Sequence, residues 1–218
     1  MAIHLFPNRA RLLVAALTAA LLPLAFSPTA SASTVPQSRT WQVAVGEETP
    51  NDAIQGMAFL PGTIWINKGD KIVWTARAGE FHTVTFLATG QTLPQPFDPS
   101  NPLELFPQGG TSYNGVSYFN SGAMTDEANS GFPTHRTYSL TFDKMGNFTY
   151  WCLVHGMVMK GKVHVRAAGT PYPLTQGQYN HQSLVRKAAL LRHGLHLWAE
   201  TAEHATNHKV FALSLIHI

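Results

Sequence analysis

Tyr150-Trp151-Cys152-Leu153-Val154-His155-Gly156-Met157-Val158-Met159 runs on into Lys160-Gly161-Lys162-Val163-His164-Val165. From Cys152 to Met159 the stretch offers a thiol, an imidazole and thioethers. On either side, Asn147–Leu153 and Lys162–Arg166 read as strands, each preceded by a glycine, Gly146 and Gly161. Soft sulfur beside imidazole suits copper, and a His₂Cys site with a weak axial Met is an electron-transfer geometry. Such a site needs a second His from elsewhere in the chain. His82 is the best candidate, because it opens the strand-like His82–Leu87, 152 − 82 = 70 residues upstream of Cys152.

The wider pattern is one of short strands. Thr40–Val45 alternates in period two, and Thr63–Asn67 and Lys71–Ala76 flank the turn Asn67-Lys68-Gly69-Asp70, a hairpin-like signal. His82–Leu87 and Thr137–Phe142 are rich in the Thr, Val and aromatic residues that strands favour. With Asn147–Leu153 and Lys162–Arg166, the spacing predicts an all-β sandwich or barrel. Between residues 89 and 135 periodicity fails under repeated Pro and Gly, which predicts a long insert serving as lid, flank or decoration.

In these residues the chain resembles the cupredoxin family, the blue copper proteins of the plastocyanin and azurin kind. The resemblance rests on Gly69-Asp70-Lys71-Ile72-Val73-Trp74, on His82-Thr83-Val84, and on Tyr150-x-Cys152-x-x-His155 with Met159-x-Gly161-x-Val163-x-Val165. It implies an eight-stranded Greek-key β-sandwich over residues 36–166, with one type 1 copper held at one end by His82, Cys152, His155 and Met159. Met157 is the alternative axial ligand. Met159 is favoured because it keeps register with Gly161, Val163 and Val165. It also implies that His155, lying in a loop, brings its imidazole edge to the surface where a redox partner protein docks, while His82 is more buried.

The chain has 218 residues, of which 44% are hydrophobic, enough for a packed core, and only 12% are charged. That is about half the usual charged share and suits an extracellular β-rich protein. Arg9 and Arg11 precede the apolar run Leu12–Phe26, and Ala30-Ser31-Ala32 follows it, so residues 1–32 read as a secretory signal cleaved before Ser33. The expected location is periplasmic, cell-surface or extracellular. No transmembrane segment is expected in the mature chain. Removing two of the 15 basic residues leaves 13 against 12 acidic, with no Lys/Arg cluster, so nucleic acid is not an expected partner. A single Cys excludes an internal disulfide framework and any multi-thiolate zinc site. A lone exported thiol is either buried and inert or occupied by a metal.

After residue 166 the pattern changes. Residues 167–178 read as a linker and 179–208 as an amphipathic helix. Its stripe of Leu184, Ala188, Leu191, Leu195, Trp198, Ala202 and Ala205 has to be covered by the sandwich, a second domain or a partner. The apolar tail 209–218 reads as a second domain cut short. His196, Glu200, His204 and His208 recur every four residues, and a solvated face is the better reading of them than a metal site. His135 and His164 are expected to be exposed bystanders.

Two functions fit these features. The first is an exported carrier of single electrons; the second is a non-redox copper-binding module for storage, delivery or sensing. Enzymes on this fold place His residues next to the ligand Cys, on both sides in multicopper oxidases and before it in copper nitrite reductases. Trp151 and Leu153 stand there instead, so the chain is expected not to be an enzyme unless a missing C-terminal domain supplies a second copper site.

Overall fold

A computed structural model describes residues 37–93 and 97–204, without the side chains of 202–204. The signal segment 1–32, the tail 209–218, Ala205 and His208 lie outside the described residues. Among the described residues, ten strands form two five-stranded sheets. They are β1 (Thr40–Glu48), β2 (Gln55–Leu60), β3 (Thr63–Asn67), β4 (Lys71–Ala76), β5 (Thr85–Phe86), β6 (Ser112–Tyr113), β7 (Phe119–Asn120), β8 (Thr137–Phe142), β9 (Gly146–Cys152) and β10 (Gly156–Arg166). One sheet has the order β2-β1-β4-β8-β6 and the other β3-β10-β9-β5-β7. The chain is the all-β sandwich its strand pattern predicts, with a C-terminal helix. β6 and β7 come from the insert, which leaves the eight strands that the resemblance implies.

Inward residues alternate along β4 and along β10 from Met159 onward, as the two-residue period requires. Trp41, Val43 and Val45 of β1 face Ile64 and Ile66 of β3 and Val163 and Val165 of β10 in one buried cluster. Tyr150 packs against Phe59, Trp74 and Phe86 with ring centroids 4.6, 5.5 and 5.2 Å away. Burying each such ring stabilises the fold by ~2–3 kcal/mol.

β3 and β4 are not a hairpin; they belong to opposite sheets. The turn between them closes one end of the sandwich, because its amides reach both layers. The N–H of Lys68 donates to the Arg166 carbonyl of β10, and that of Gly69 to the Phe142 carbonyl of β8, both at 2.8 Å. Buried Asp70 fixes this corner. Its carboxylate accepts from the backbone N–H groups of Arg39 (2.8 Å) and Asn67 (2.9 Å), from the Trp41 indole (3.0 Å) and from the Tyr172 hydroxyl.

The stretch His82–Leu87 is also less regular than its composition predicts. Only Thr85 and Phe86 join a ladder, and His82 makes a single bridge to Met124 of the insert. The insert is therefore part of both sheets: β6 lies beside β8, and β7 beside β5. It also carries the one-turn helix α1 (Pro102–Leu105), started by Asn101 accepting from the Leu103 N–H.

Residues 167–178 do not form a free linker. Tyr172 and Leu174 pack on the core, and the Asn67 amide donates to the Thr170 carbonyl at 2.7 Å. The final helix, α2, starts at Gln176 and is described to His204. Its covered side is not the predicted stripe. Tyr179, Leu190 and Gly194 are buried, while Leu184, Leu195 and Trp198 are exposed. Two features turn the helix that way: the Tyr179 hydroxyl accepts from the Trp65 N–H at 2.9 Å, and Lys187 pairs with Glu47. At Gly194 a Cβ would overlap the Ile54 side chain, so glycine permits the close approach.

Candidate metal centre

Three connections deliver chemistry to one end of the sandwich. The β4–β5 crossover carries His82, the last residue of β9 is Cys152, and the β9–β10 hairpin loop carries His155. The ligand-capable atoms of these three residues all lie within 4.8 Å of one another. Cys152 Sγ is 3.8 Å from His82 Nδ1 and 3.3 Å from His155 Nδ1. Cys152 is fully buried and His82 nearly so.

His155 departs from expectation. Its side chain is only 8% exposed, because its Nε2 lies 3.0 Å from Glu80 Oε1. The imidazole edge thus meets a carboxylate before it meets solvent.

The electrostatics follow from this packing. Burial would raise the Cys152 thiol, but hydrogen bonds and charge from His155 and His82 reverse that and bring it down to about 5. Burial likewise disfavours the His155 imidazolium, yet hydrogen bonds to Cys152 and Glu80 outweigh it and raise His155 to about 9. Glu80 is pushed up by burial and pulled down more strongly by His155, for a net lowering. The cluster therefore favours a thiolate near neutral pH, the form that binds metal.

The sequence profile described as copper binding proteins, plastocyanin/azurin family, matches residues 47–166. The chain belongs to that family. Plastocyanin A'/A'' of Nicotiana tabacum is 30% identical over 111 residues, covering 50% of this chain and 89% of that protein. Among solved structures, a reduced amicyanin mutant aligns at 22% identity over 58% of this chain and 82% of its own, with a TM-score of 0.36. Amicyanin from Paracoccus versutus aligns at 21% over 58% and 81%, again with a TM-score of 0.36.

As a member of the plastocyanin/azurin family the chain is a copper protein, and its donor set fits such an ion. Bonds of about 2.0–2.3 Å from nitrogen or sulfur to a first-row metal would place three donors around it roughly 3.7 Å apart. The observed 3.3 and 3.8 Å fall on either side of that separation. Where β10 bulges against β9 between Gly156 and Lys160, the two methionines part. Met159 is buried with the inward register of Gly161, Val163 and Val165, whereas Met157 is 63% exposed.

Several residues around the site have roles that the sequence did not assign. The Thr83 N–H donates to Cys152 Sγ at 3.4 Å, and the Thr83 hydroxyl accepts from the Leu153 N–H at 2.8 Å. That hydroxyl is 2.9 Å from the Thr85 hydroxyl, which donates to Asn120 Oδ1 at 2.8 Å. Asn120 in turn donates to the carbonyls of Leu103 and Glu104. A buried polar chain thus ties the Cys152 loop to the insert. On the other side, Gly46 sits at a bulge in β1 with φ +68° against the His82 ring.

Other histidines among the described residues lie away from this cluster. His164 stacks on Trp65 at 4.0 Å and pairs with Asn147, and His135 is half-buried in the insert. His196 Nδ1 lies 3.4 Å from Glu200 on an exposed turn of α2. The His204 side chain lies outside the described residues.

Proposed function

We propose that the chain is an exported type 1 copper protein that carries single electrons, with His82, Cys152 and His155 as ligands and Met159 as the axial one. The observation that carries this reading is the convergence of a buried thiolate-prone Cys with two imidazole Nδ1 atoms. When bound, copper supplies a one-electron Cu(II)/Cu(I) couple.

The protein's own contribution is rigidity and exclusion of water. His82 is held by paired backbone hydrogen bonds to Met124, at 2.9 and 2.8 Å. Cys152 is held by Thr83, and the aromatic core beneath resists displacement of either. Donors that cannot move keep one arrangement in both oxidation states, so little reorganisation opposes the transfer of an electron. Exchange with a redox partner takes place at the His155 end, where Met157, Val158 and Phe132 are exposed. Trp151 and Leu153 beside Cys152 offer no second set of metal ligands, which supports a carrier rather than a catalyst. The segment 1–32 supports export. No described helix is long and apolar enough to cross a membrane.

Voltammetry of the copper-loaded protein tests the carrier role. The expected result is a reversible one-electron wave that disappears in Cys152→Ser. Copper that binds in stoichiometric amount but cannot be cycled would contradict it and favour storage or delivery.

A further inference from the structure

Glu80 lies two residues before His82, yet its carboxylate meets the other histidine. Oε1 is 3.0 Å from His155 Nε2, and Oε2 is buried without a hydrogen-bond partner. The surrounding backbone is pinned on both sides. Ahead of Glu80, the Gly79 N–H donates to Glu48 at 2.9 Å, and the Gly79 carbonyl accepts from the Thr125 hydroxyl at 2.8 Å. Behind it, Phe81 packs edge-on against Phe132 at 5.3 Å, and His82 pairs with Met124. A side chain held this firmly is placed to act on its neighbour, and the insert does much of the holding.

We propose that Glu80 is a positioning residue for His155, which orients the imidazole, closes its edge and biases the centre toward the oxidised state. The inference rests on the copper reading of the site. An acceptor at Nε2 fixes the proton on that nitrogen and leaves Nδ1, the atom beside Cys152 Sγ, free to bind metal; a carboxylate partner also raises the ligand's basicity. Its negative charge favours the more positive ion. Because Oε2 is shielded from water, that preference is screened less than at an open surface. The same contact explains why His155 is covered, so a partner meets Glu80 and the exposed Met157 before the ring.

The test compares wild type, E80Q and E80A. E80Q keeps the shape and removes the charge; E80A removes both. The expected result is a blue band in all three and a higher midpoint potential in both variants. The expected size is about ten-fold in the oxidised-to-reduced ratio at fixed potential, or about 59 mV for one electron. Nitrogen-15 NMR of the metal-free protein gives a second readout: a slowly exchanging His155 Nε2 proton in wild type, lost in E80A. A blue band with unchanged potentials and an unchanged His155 signal would overturn the role of Glu80 alone. A wild-type protein with no intense blue or green charge-transfer band would overturn the copper reading of this site, and this inference with it.

Discussion

Gly46→Ala is expected to destabilise the protein by about 2–5 kcal/mol and to disturb the candidate metal centre as well. Two costs act together. At φ +68° a Cβ is strained by ~1–2 kcal/mol, and it would press on the His82 ring, 2.7 Å from Cδ2 and 3.0 Å from the Ala78 Cβ. Overpacking of that kind costs a further ~1–3 kcal/mol. The ring has nowhere to go, since Cys152 and His155 lie on its other side. Denaturant unfolding of the metal-free protein should show the loss of stability, and the copper-loaded variant should show weaker binding or an altered visible spectrum. Wild-type stability with an unchanged spectrum would mean that Gly46 does not define the position of His82.

Asp70→Ala acts far from the metal and should cost about 3–5 kcal/mol. Its carboxylate is the shared acceptor for the Trp41 indole, two backbone N–H groups and the Tyr172 hydroxyl. Leaving a buried donor unsatisfied costs ~1–3 kcal/mol, and the costs of neighbouring donors do not add fully. The same loss would free residues 167–174 from the sandwich corner. The check is the midpoint of chemical unfolding, which should fall with little change in slope. A loss below about 1 kcal/mol would show that water replaces the carboxylate at this corner.

The parts of this protein that could be read from its sequence are those written in local pattern. β3 and β4 fall on the residues that the turn signal between them marks, and β8 on those its strand-favouring composition marks. The Cys152–His155 spacing announces its chemistry because two candidate ligands stand three residues apart, at the end of β9 and in the loop after it. β2 escaped notice because Gln55-Gly56-Met57-Ala58-Phe59-Leu60 contains no β-branched residue. The sheet assignment of β3 and β4 was hidden as well. A tight turn looks the same whether its strands pair with each other or with different layers; here Arg166 and Phe142, remote in sequence, decide it.

The helix shows a different failure. Leu184, Leu195 and Trp198 make the more hydrophobic stripe, but the anchoring contacts of Tyr179, Lys187 and Gly194 turn the other side inward. Glu80 and Asn120 meet the candidate site only through tertiary contacts, and no spacing rule marks them; Thr83 stood in the His82-Thr83-Val84 match, but its bonds to Cys152 and Leu153 are tertiary as well. Gly46 lies just past the stretch Thr40–Val45 that alternation marks, so the sequence showed neither its bulge nor its pairing with His82.

The most direct measurement is Cu(II) titration of the purified protein, followed by visible absorption and electron paramagnetic resonance. One equivalent should produce an intense blue or green charge-transfer band with narrow copper hyperfine splitting, both lost in Cys152→Ser and His82→Ala. Binding that yields only a pale colour and ordinary hyperfine splitting, unchanged in those variants, would place copper away from His82, Cys152 and His155 and contradict the account.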